Sequence, residues 1–148
     1  MSEEKAFEIV VETGKGEVSI LNATPHDIHI FKPDQVVYDE SVRKYLLKLP
    51  DEKPVRVIPR SGVLLNVKAD YELKEIIDDI PIYVLKVKEI DPVPRGYDIV
   101  IVSAMYATYA KKARIRGLDR LYTVSQPVYE SRENLKPVGV LGLNKVVE

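Results

Sequence analysis

The sequence predicts an α+β fold of mixed α and β structure in which β-sheet dominates. Three observations lead to this class: an N-terminal pair of β-rich segments, a strand-helix-strand pattern near 97–126, and a second helical pattern near 39–49. The chain has 148 residues, close to the usual size of one domain, and contains no repeat or linker-like segment. We therefore expect a single domain over 1–148.

The N-terminal segments predict a hairpin. Residues 7–12 and 17–22 are rich in β-formers, and the link between them contains two glycines, which is typical of a tight turn. A phosphate-binding loop is not expected here, because Lys15 is followed by Gly16 and a strand instead of Ser or Thr and a helix. Residues 26–31 predict a third short strand.

Residues 39–49 predict a helix. Val42, Tyr45, Leu46 and Leu49 recur at helical spacing on one face. Asp39 or Ser41 could cap its start, and Pro50 would end it.

The middle of the chain predicts further strands. Residues 55–58 and 63–70 flank a Pro-Arg-Ser-Gly turn at 59–62, and residues 82–90 alternate in polarity as a strand does. The acidic segment 71–79 between them could form a short helix. A last short strand is expected at 138–141.

Residues 97–126 predict a strand-helix-strand unit. Residues 98–102 (DIVIV) contain, after Asp98, a continuous run of β-branched apolar residues, typical of a strand covered on both faces. Ser103 is placed as an N-cap for a helix over 104–116, with alanine at every third position and Gly117 as its C-terminal cap. Residues 121–124 would return as a strand parallel to the first.

Composition limits the function classes. Apolar residues make up 45% of the chain and charged residues 30%, net charge is −1, and cysteine is absent. Thiol catalysis and cysteine metal sites are thereby excluded, and the charge argues against nucleic acid or a membrane as the main partner. We expect a cytoplasmic protein without a signal peptide, a membrane span, a metal or a cofactor. Few glutamines and many charges suggest a hyperthermophilic, archaeal-type source; a melting point near 50 °C would contradict that.

A ligand site is expected where strands end. Ligands in α/β sheets bind at the carboxyl ends of strands, and a helix N-terminus favours anions. Ser103 lies at such a point, Ser125 and Gln126 would leave the parallel neighbour at the same edge, and Arg60 and Ser61 could join from their turn. The alternative is that Ser103 is an ordinary N-cap.

The two histidines do not predict a metal site. His26 and His29 would point to opposite faces of an extended strand, so sharing one ion with Asp27 or Asp34 would require a break in it. His26 is a weak catalytic candidate, since histidine titrates near neutral pH. The alternative is a turn held by side-chain hydrogen bonds of Asn22, Thr24 and His26.

A basic cluster lies along the helix predicted at 104–116 and just beyond it. Such cations beside aromatic residues can bind nucleic acid, but they also suit the negative end of a helix dipole. Its members are Lys111, Lys112, Arg114, Arg116 and Arg120, with Tyr109 and Tyr122 nearby.

Several segments together resemble a known family. Residues 22–28 (NATPHDI), the turn 59–62, the strand and helix that begin at Tyr97, and the ending at 139–143 are similar to small uncharacterised proteins of phages, archaeal viruses and microbial genomes that carry an "N-L-T-P-H-x-I" signature. Ala23 replaces the usual leucine, and 39–49 looks like an insertion. The resemblance implies a compact domain of viral or mobile-element origin and directs attention to His26, Ser61 and Ser103, without supplying a substrate.

Three functions follow as expectations. The first is a non-enzymatic binding protein, also a homo-oligomer, that holds a small anionic ligand or a protein partner. The second is a small enzyme acting on a phosphorylated or nucleotide-like substrate, with His26 as acid or base. The third is nucleic-acid binding through the helix 104–116.

Overall fold

The structure is a computed structural model that describes residues 8–13 and 16–148. The predicted class is confirmed: the described residues are mainly β-sheet with one α-helix. The strands are β1 (Glu8–Thr13), β2 (Gly16–Asn22), β3 (Ile28–Ile30), β4 (Val36–Asp39), β5 (Lys44–Leu47), β6 (Arg56–Ile58), β7 (Val67–Ile77), β8 (Ile80–Ile90), β9 (Ile99–Ile101), β10 (Leu121–Tyr129) and β11 (Gly139–Lys145); the helix α1 spans Ala104–Ala113, and 3-10 turns span Pro33–Gln35 and Leu118–Arg120.

One large sheet contains every strand except β7 and β8. Its order is β1-β2-β9-β10-β11-β3-β6, with β5 added to β10 and β4 added to β5. The antiparallel neighbours β1 and β2 adjoin in sequence, whereas β9 is parallel to both β2 and β10. The chain makes the second parallel connection through α1, which packs back on the sheet as a crossover helix must.

The helix α1 covers one face of the sheet, and the sheet curls around a second apolar cluster on its other face. Leu21, Val100 and Leu121 pack under Tyr106 and Ala110 of α1. On the opposite face, Ile20 of β2 and Ile101 of β9 meet Ile28 of β3 and Ile58 of β6. Because β3 and β6 are far from β2 in the strand order, the sheet must curl until its two ends meet. The backbone N–H of Ser61 then donates to the carbonyl of Asn22 at 3.0 Å.

The helix α1 begins and ends as a capped element, but it is shorter than predicted. The hydroxyl of Ser103 accepts a hydrogen bond from the N–H of Tyr106 at 3.1 Å, as an N-cap does. The helix ends at Ala113 because Arg114 adopts a left-handed conformation, so Gly117 is not its C-terminal cap. Ala107 and Ala110 are buried, and their small side chains let α1 lie close to the sheet.

The helix predicted over 39–49 is wrong. The segment forms the hairpin β4-β5 instead, in which the Asp39 carboxylate accepts from the N–H of Ser41 at 2.9 Å and Arg43 turns the chain with φ 54°. The rings of Tyr38 and Tyr45 pack edge to face across the hairpin, 4.9 Å apart. The backbone of β5 forms its hydrogen bonds with β10 in the sheet. This pairing outweighs the weak helical preference indicated by the spacing of a few apolar residues.

The short helix considered for 71–79 is also wrong. Residues 67–77 and 80–90 form one long antiparallel hairpin, and the strand expected over 63–70 begins only at Val67. Asp78 and Asp79 both have positive φ, 47° and 65°, which is the geometry of a two-residue hairpin turn matched to strand twist. We call β7, β8 and their turn the arm.

Candidate binding surfaces

The arm has two chemically different faces. Cross-strand partners share a face and successive residues alternate between faces; irregularities after Lys68 and Leu73 shift that alternation. One face, which we call the uncharged face, then carries the pairs Val67 with Ile90, Ala69 with Val87, Tyr71 with Leu85, Leu73 with Tyr83 and Ile76 with Pro81.

The opposite face, which we call the charged face, contains ion pairs. Lys68 lies 3.5 Å from Glu89, and Lys88 donates to Glu72. The hydrogen bond from Lys88 lowers the pKa of the Glu72 carboxyl, and the same bond raises the pKa of Lys88. These side chains are solvent-exposed, so we expect them to keep this face soluble more than to stabilise the fold.

Only the base of the uncharged face is covered. Val67 and Ile90 pack against the core beneath α1, and Leu85 and Val87 are half-buried in an open groove beside Ala113. Further out, the side chains point to solvent: Tyr71 is 67% exposed, Leu73 54%, Ile76 61% and Tyr83 56%. Large apolar residues grouped in this way on one exposed surface are typical of an interaction site.

Sequence reasoning missed this surface. It recognised the alternation in residues 82–90, but the acidic residues of 71–79 favoured a helix. The available signal was Asp78-Asp79 between two segments rich in Ile, Leu, Val and Tyr, which is a hairpin pattern. The irregularities that place Leu73 and Ile76 on the same face depend on the strand register and carry no signal in the sequence.

The predicted ligand residues lie along one edge of the large sheet. Asn22 is in register with Ile101, and Ile101 with Tyr122, so β2, β9 and β10 reach this edge together. Ser103 follows the end of β9. Ser125 and Gln126 do not leave β10 there, as predicted, because β10 continues to Tyr129; they lie within the strand, just beyond the end of β9.

Ser61 and Arg60 join this edge through the Asn22 turn. The Ser61 hydroxyl donates to the carbonyl of Asn22 at 2.7 Å and accepts from the N–H of Val63 at 3.1 Å. The N–H of Arg60 donates to Asp27 at 2.9 Å, and its exposed guanidinium is 3.5 Å from the carbonyl of Pro25. The polar atoms of Ser61 thus stabilise the turn.

The turn after β2 is held by the side chains of Asn22 and Thr24, as the alternative supposed, but His26 takes part through its backbone and not through its side chain. Asn22 is 1% exposed. Its amide donates to the carbonyls of His26 at 2.9 Å and Ile58 at 3.1 Å, and its oxygen accepts from the N–H and hydroxyl of Thr24 at 3.0 and 2.7 Å. The two N–H groups and both lone pairs of this buried amide are therefore all used.

The histidines are not brought together with carboxylates. His26 is exposed on the turn and His29 is half-buried in β3 opposite Val57. Among residues 8–13 and 16–148, no group of three or more His, Asp or Glu side chains has the arrangement of a metal site. The two grooves found beside the arm and beside β4 include neither His26 nor Ser103.

The basic residues separate into two groups. Arg120 is structural, because its guanidinium donates to the carbonyls of Pro94 at 2.6 Å and Tyr97 at 3.3 Å. Lys111, Lys112, Arg114 and Arg116 are exposed at and beyond the end of α1. Lys112 lines the groove beside the arm together with Lys74 and Lys86.

Comparisons with known proteins assign no family. Searches of protein-family models, curated proteins and solved structures give no significant match. In the part of the chain that the structure describes, no helix is long and apolar enough to cross a membrane.

Proposed function

We propose that this chain is a non-enzymatic binding protein and that the uncharged face of the arm is its binding surface for a protein partner. The observation that carries the proposal is the separation of charge on the arm. Four large apolar side chains more than half exposed lie on one face, whose cross-strand pairs include no charged residue. On the other face, exposed Ile77 and Ile80 at the tip are accompanied by the ion pairs of Lys68, Glu72, Lys88 and Glu89.

The energetic argument concerns the apolar surface left in water. Burying apolar surface stabilises a protein by about 25 cal/mol per Å². The exposed apolar side chains of the arm contribute little of this free energy until another surface covers them. Two-stranded hairpins are also marginal by themselves. Docking a protein on the uncharged face would stabilise the arm and the complex together.

The chemistry of the surface favours protein over the other partner classes. Tyrosine and leucine side chains on a rigid strand pair suit a protein interface, where aromatic residues are enriched. The turn at the tip carries Asp78 and Asp79, and the charged face has acids and bases in mixture, so phosphate backbones gain little from the arm.

A photo-crosslinking experiment tests the proposal. Tyr83 is replaced by p-benzoylphenylalanine in the full chain, which is then irradiated in an extract of the source cells. A control carries the same residue at Ile77, which is 52% exposed but lies on the other face. We expect a discrete protein adduct, identified by mass spectrometry, at Tyr83 and not at Ile77. Equal labelling at both positions, or none at Tyr83, would refute the proposed surface.

A small anionic ligand at the β2-β9-β10 edge is the second candidate. It is supported by the position of Ser103 at the start of α1, where N–H groups and the helix dipole favour an anion. The hydroxyl of Ser103 already caps Tyr106, so an anion would have to bind the remaining N–H groups. Native mass spectrometry of protein from its own host should detect a retained small molecule, and its absence at low collision energy would count against this site.

A further inference from the structure

Resting on the function proposed above, we propose that the partner on the uncharged face is a second copy of this chain. The two arms pack face to face and point in opposite directions, related by a two-fold axis that runs between them across the strands near Leu73 and Tyr83.

Self-complementarity of the face supports a second copy. With the axis at this level, Leu73 and Tyr83 each meet their own equivalents, and Tyr71 of one arm covers Ile76 of the other. Because a two-fold interface brings a patch against itself, any charge near the axis would face a like charge. None of the ten paired residues of the uncharged face is charged; the nearest charge is Lys74, which has no cross-strand partner.

The exposed area is of the size that such an interface needs. At their exposed fractions, Tyr71, Leu73, Ile76 and Tyr83 together leave roughly 500 Å² outside the core. The flanking Ala69, Pro81, Leu85 and Val87 bring this toward the about 800 Å² per partner of a stable complex.

Charge decides the direction of the arms. Along the arm, the acidic turn Asp78–Asp79 and the base residue Lys68 lie on opposite sides of Leu73 and at about the same distance from it. In the opposed arrangement, the acidic turn of each copy therefore reaches the level of Lys68 on the other arm, next to the groove that Lys112 lines with residues 72–74 and 84–87. Lys111 and Arg114 are exposed on the same helix end. Arms pointing the same way would instead bring four carboxylates together at one end.

The second arm also fits the layering of the molecule. Ala113 at the end of α1 lines the groove together with Leu73, Leu85 and Val87, so the helix ends beside the inner half of the uncharged face. An arm from a second copy would lie over the part of this face that the helix leaves exposed. Each arm would then be covered along its whole length, partly by its own helix and partly by its partner.

Sedimentation equilibrium of the pure full-length protein is the first test. We expect a dimer whose dissociation constant rises at least 100-fold in Leu73→Lys and less than threefold in Ile77→Lys. The two side chains have nearly equal exposure, 54% and 52%, and lie on opposite faces of one strand. Circular dichroism melting of both variants checks that the fold persists.

A cysteine variant keeps the test informative if Leu73→Lys fails to fold. The chain has no cysteine, so Leu73→Cys and Ile77→Cys each introduce a single thiol. Under oxidised glutathione, we expect Leu73→Cys to form a disulfide-linked dimer and Ile77→Cys to stay monomeric on non-reducing gels. For direction, Asp79→Lys should weaken the dimer and Lys112→Glu should restore it; a tighter dimer in Asp79→Lys alone would overturn the opposed arrangement.

The possible failures are distinguishable. A wild-type chain that is monomeric at all concentrations overturns the second copy, while a Tyr83 adduct with a different protein would still uphold the proposed function. A dimer indifferent to Leu73→Lys and lacking the Leu73→Cys disulfide removes the uncharged face as its interface. Binding of a monomeric chain to phosphatidylcholine vesicles, lost in Leu73→Lys, would show that lipid covers this face and would overturn both proposals.

Discussion

The buried amide of Asn22 should be the most sensitive polar position in the fold. It joins β2, the turn at Thr24–His26 and the end of β6 through four hydrogen bonds. In Asn22→Ala, the buried carbonyl of Ile58 loses the amide donor. An unsatisfied buried group costs about 1–3 kcal/mol, and each other lost bond about 1 kcal/mol. We therefore expect the free energy of unfolding to fall by about 2–4 kcal/mol.

Guanidinium denaturation followed by circular dichroism measures this loss, with Asn144→Ala as the matched control. Asn144 is exposed and its amide lies 3.5 Å from the carbonyl of Val124, so its removal should change stability by no more than about 0.5 kcal/mol. An Asn22→Ala protein as stable as the Asn144→Ala control would refute the argument that Asn22 closes the curled sheet.

Asn22→Asp adds a pH dependence whose sign follows from the same contacts. The new carboxylate would face the carbonyls of His26 and Ile58, to which the amide now donates. Burial and these oxygens favour the protonated acid, so its folded-state pKa should be raised above its unfolded value of about 3.9. The variant should thus come closest to the wild type in stability below that value and lose stability relative to the wild type as pH rises. A variant whose stability relative to the wild type rises over that range contradicts the expected environment.

Three further outcomes follow from individual contacts. The Tyr106 hydroxyl donates to the carbonyl of Asp91 at 2.6 Å, and burial, with the nearby Asp91 charge, raises the pKa of Tyr106 to about 12. Tyr106→Phe should lower the free energy of unfolding by about 1–2 kcal/mol. The wild type should lose stability as pH rises from about 10 through about 12, and denaturation at each pH should show that the variant lacks this loss. Ser103→Ala should cost about 1 kcal/mol in the same assay and Ser103→Asp much less, because aspartate also caps; equal losses would contradict the cap. Gly139→Ala should lower the melting temperature, since a Cβ there would lie 2.5 Å from the carbonyl of His29 and from the ring of Phe31; an unchanged melting temperature would mean that β3 and β11 are farther apart.

The segments that the sequence describes well are those whose pattern is local. Residues 99–102 form a run of β-branched residues, and Val100, Ile101 and Val102 are at most 2% exposed. Ser103 caps the helix that follows because a hydroxyl at that position bonds the third residue onward. The turn residues Asn22, Thr24 and His26 also act within a few positions of one another.

The segments that sequence reasoning misjudged depend on distant partners. Residues 39–49 have helical spacing, but β5 finds a free edge of β10 more than eighty positions later, and a sheet pairing outweighs weak propensity. The expected departure of Ser125 and Gln126 from the sheet failed for the same reason, since β11 holds β10 beyond the end of β9. The arm was missed because its two faces emerge only when β7 and β8 are in register.

By itself, the sequence determined that this is a mainly β chain with a capped helix on a buried strand, without cysteine chemistry and without a strong net charge. Those properties depend on composition and on residues close together in the chain. Only the tertiary structure decided that the sheet curls until Asn22 meets Ile58, and that Leu73 and Tyr83 share an exposed face. Both depend on which strands pair and in what register, and that choice is made by the total burial and hydrogen bonding of the whole chain.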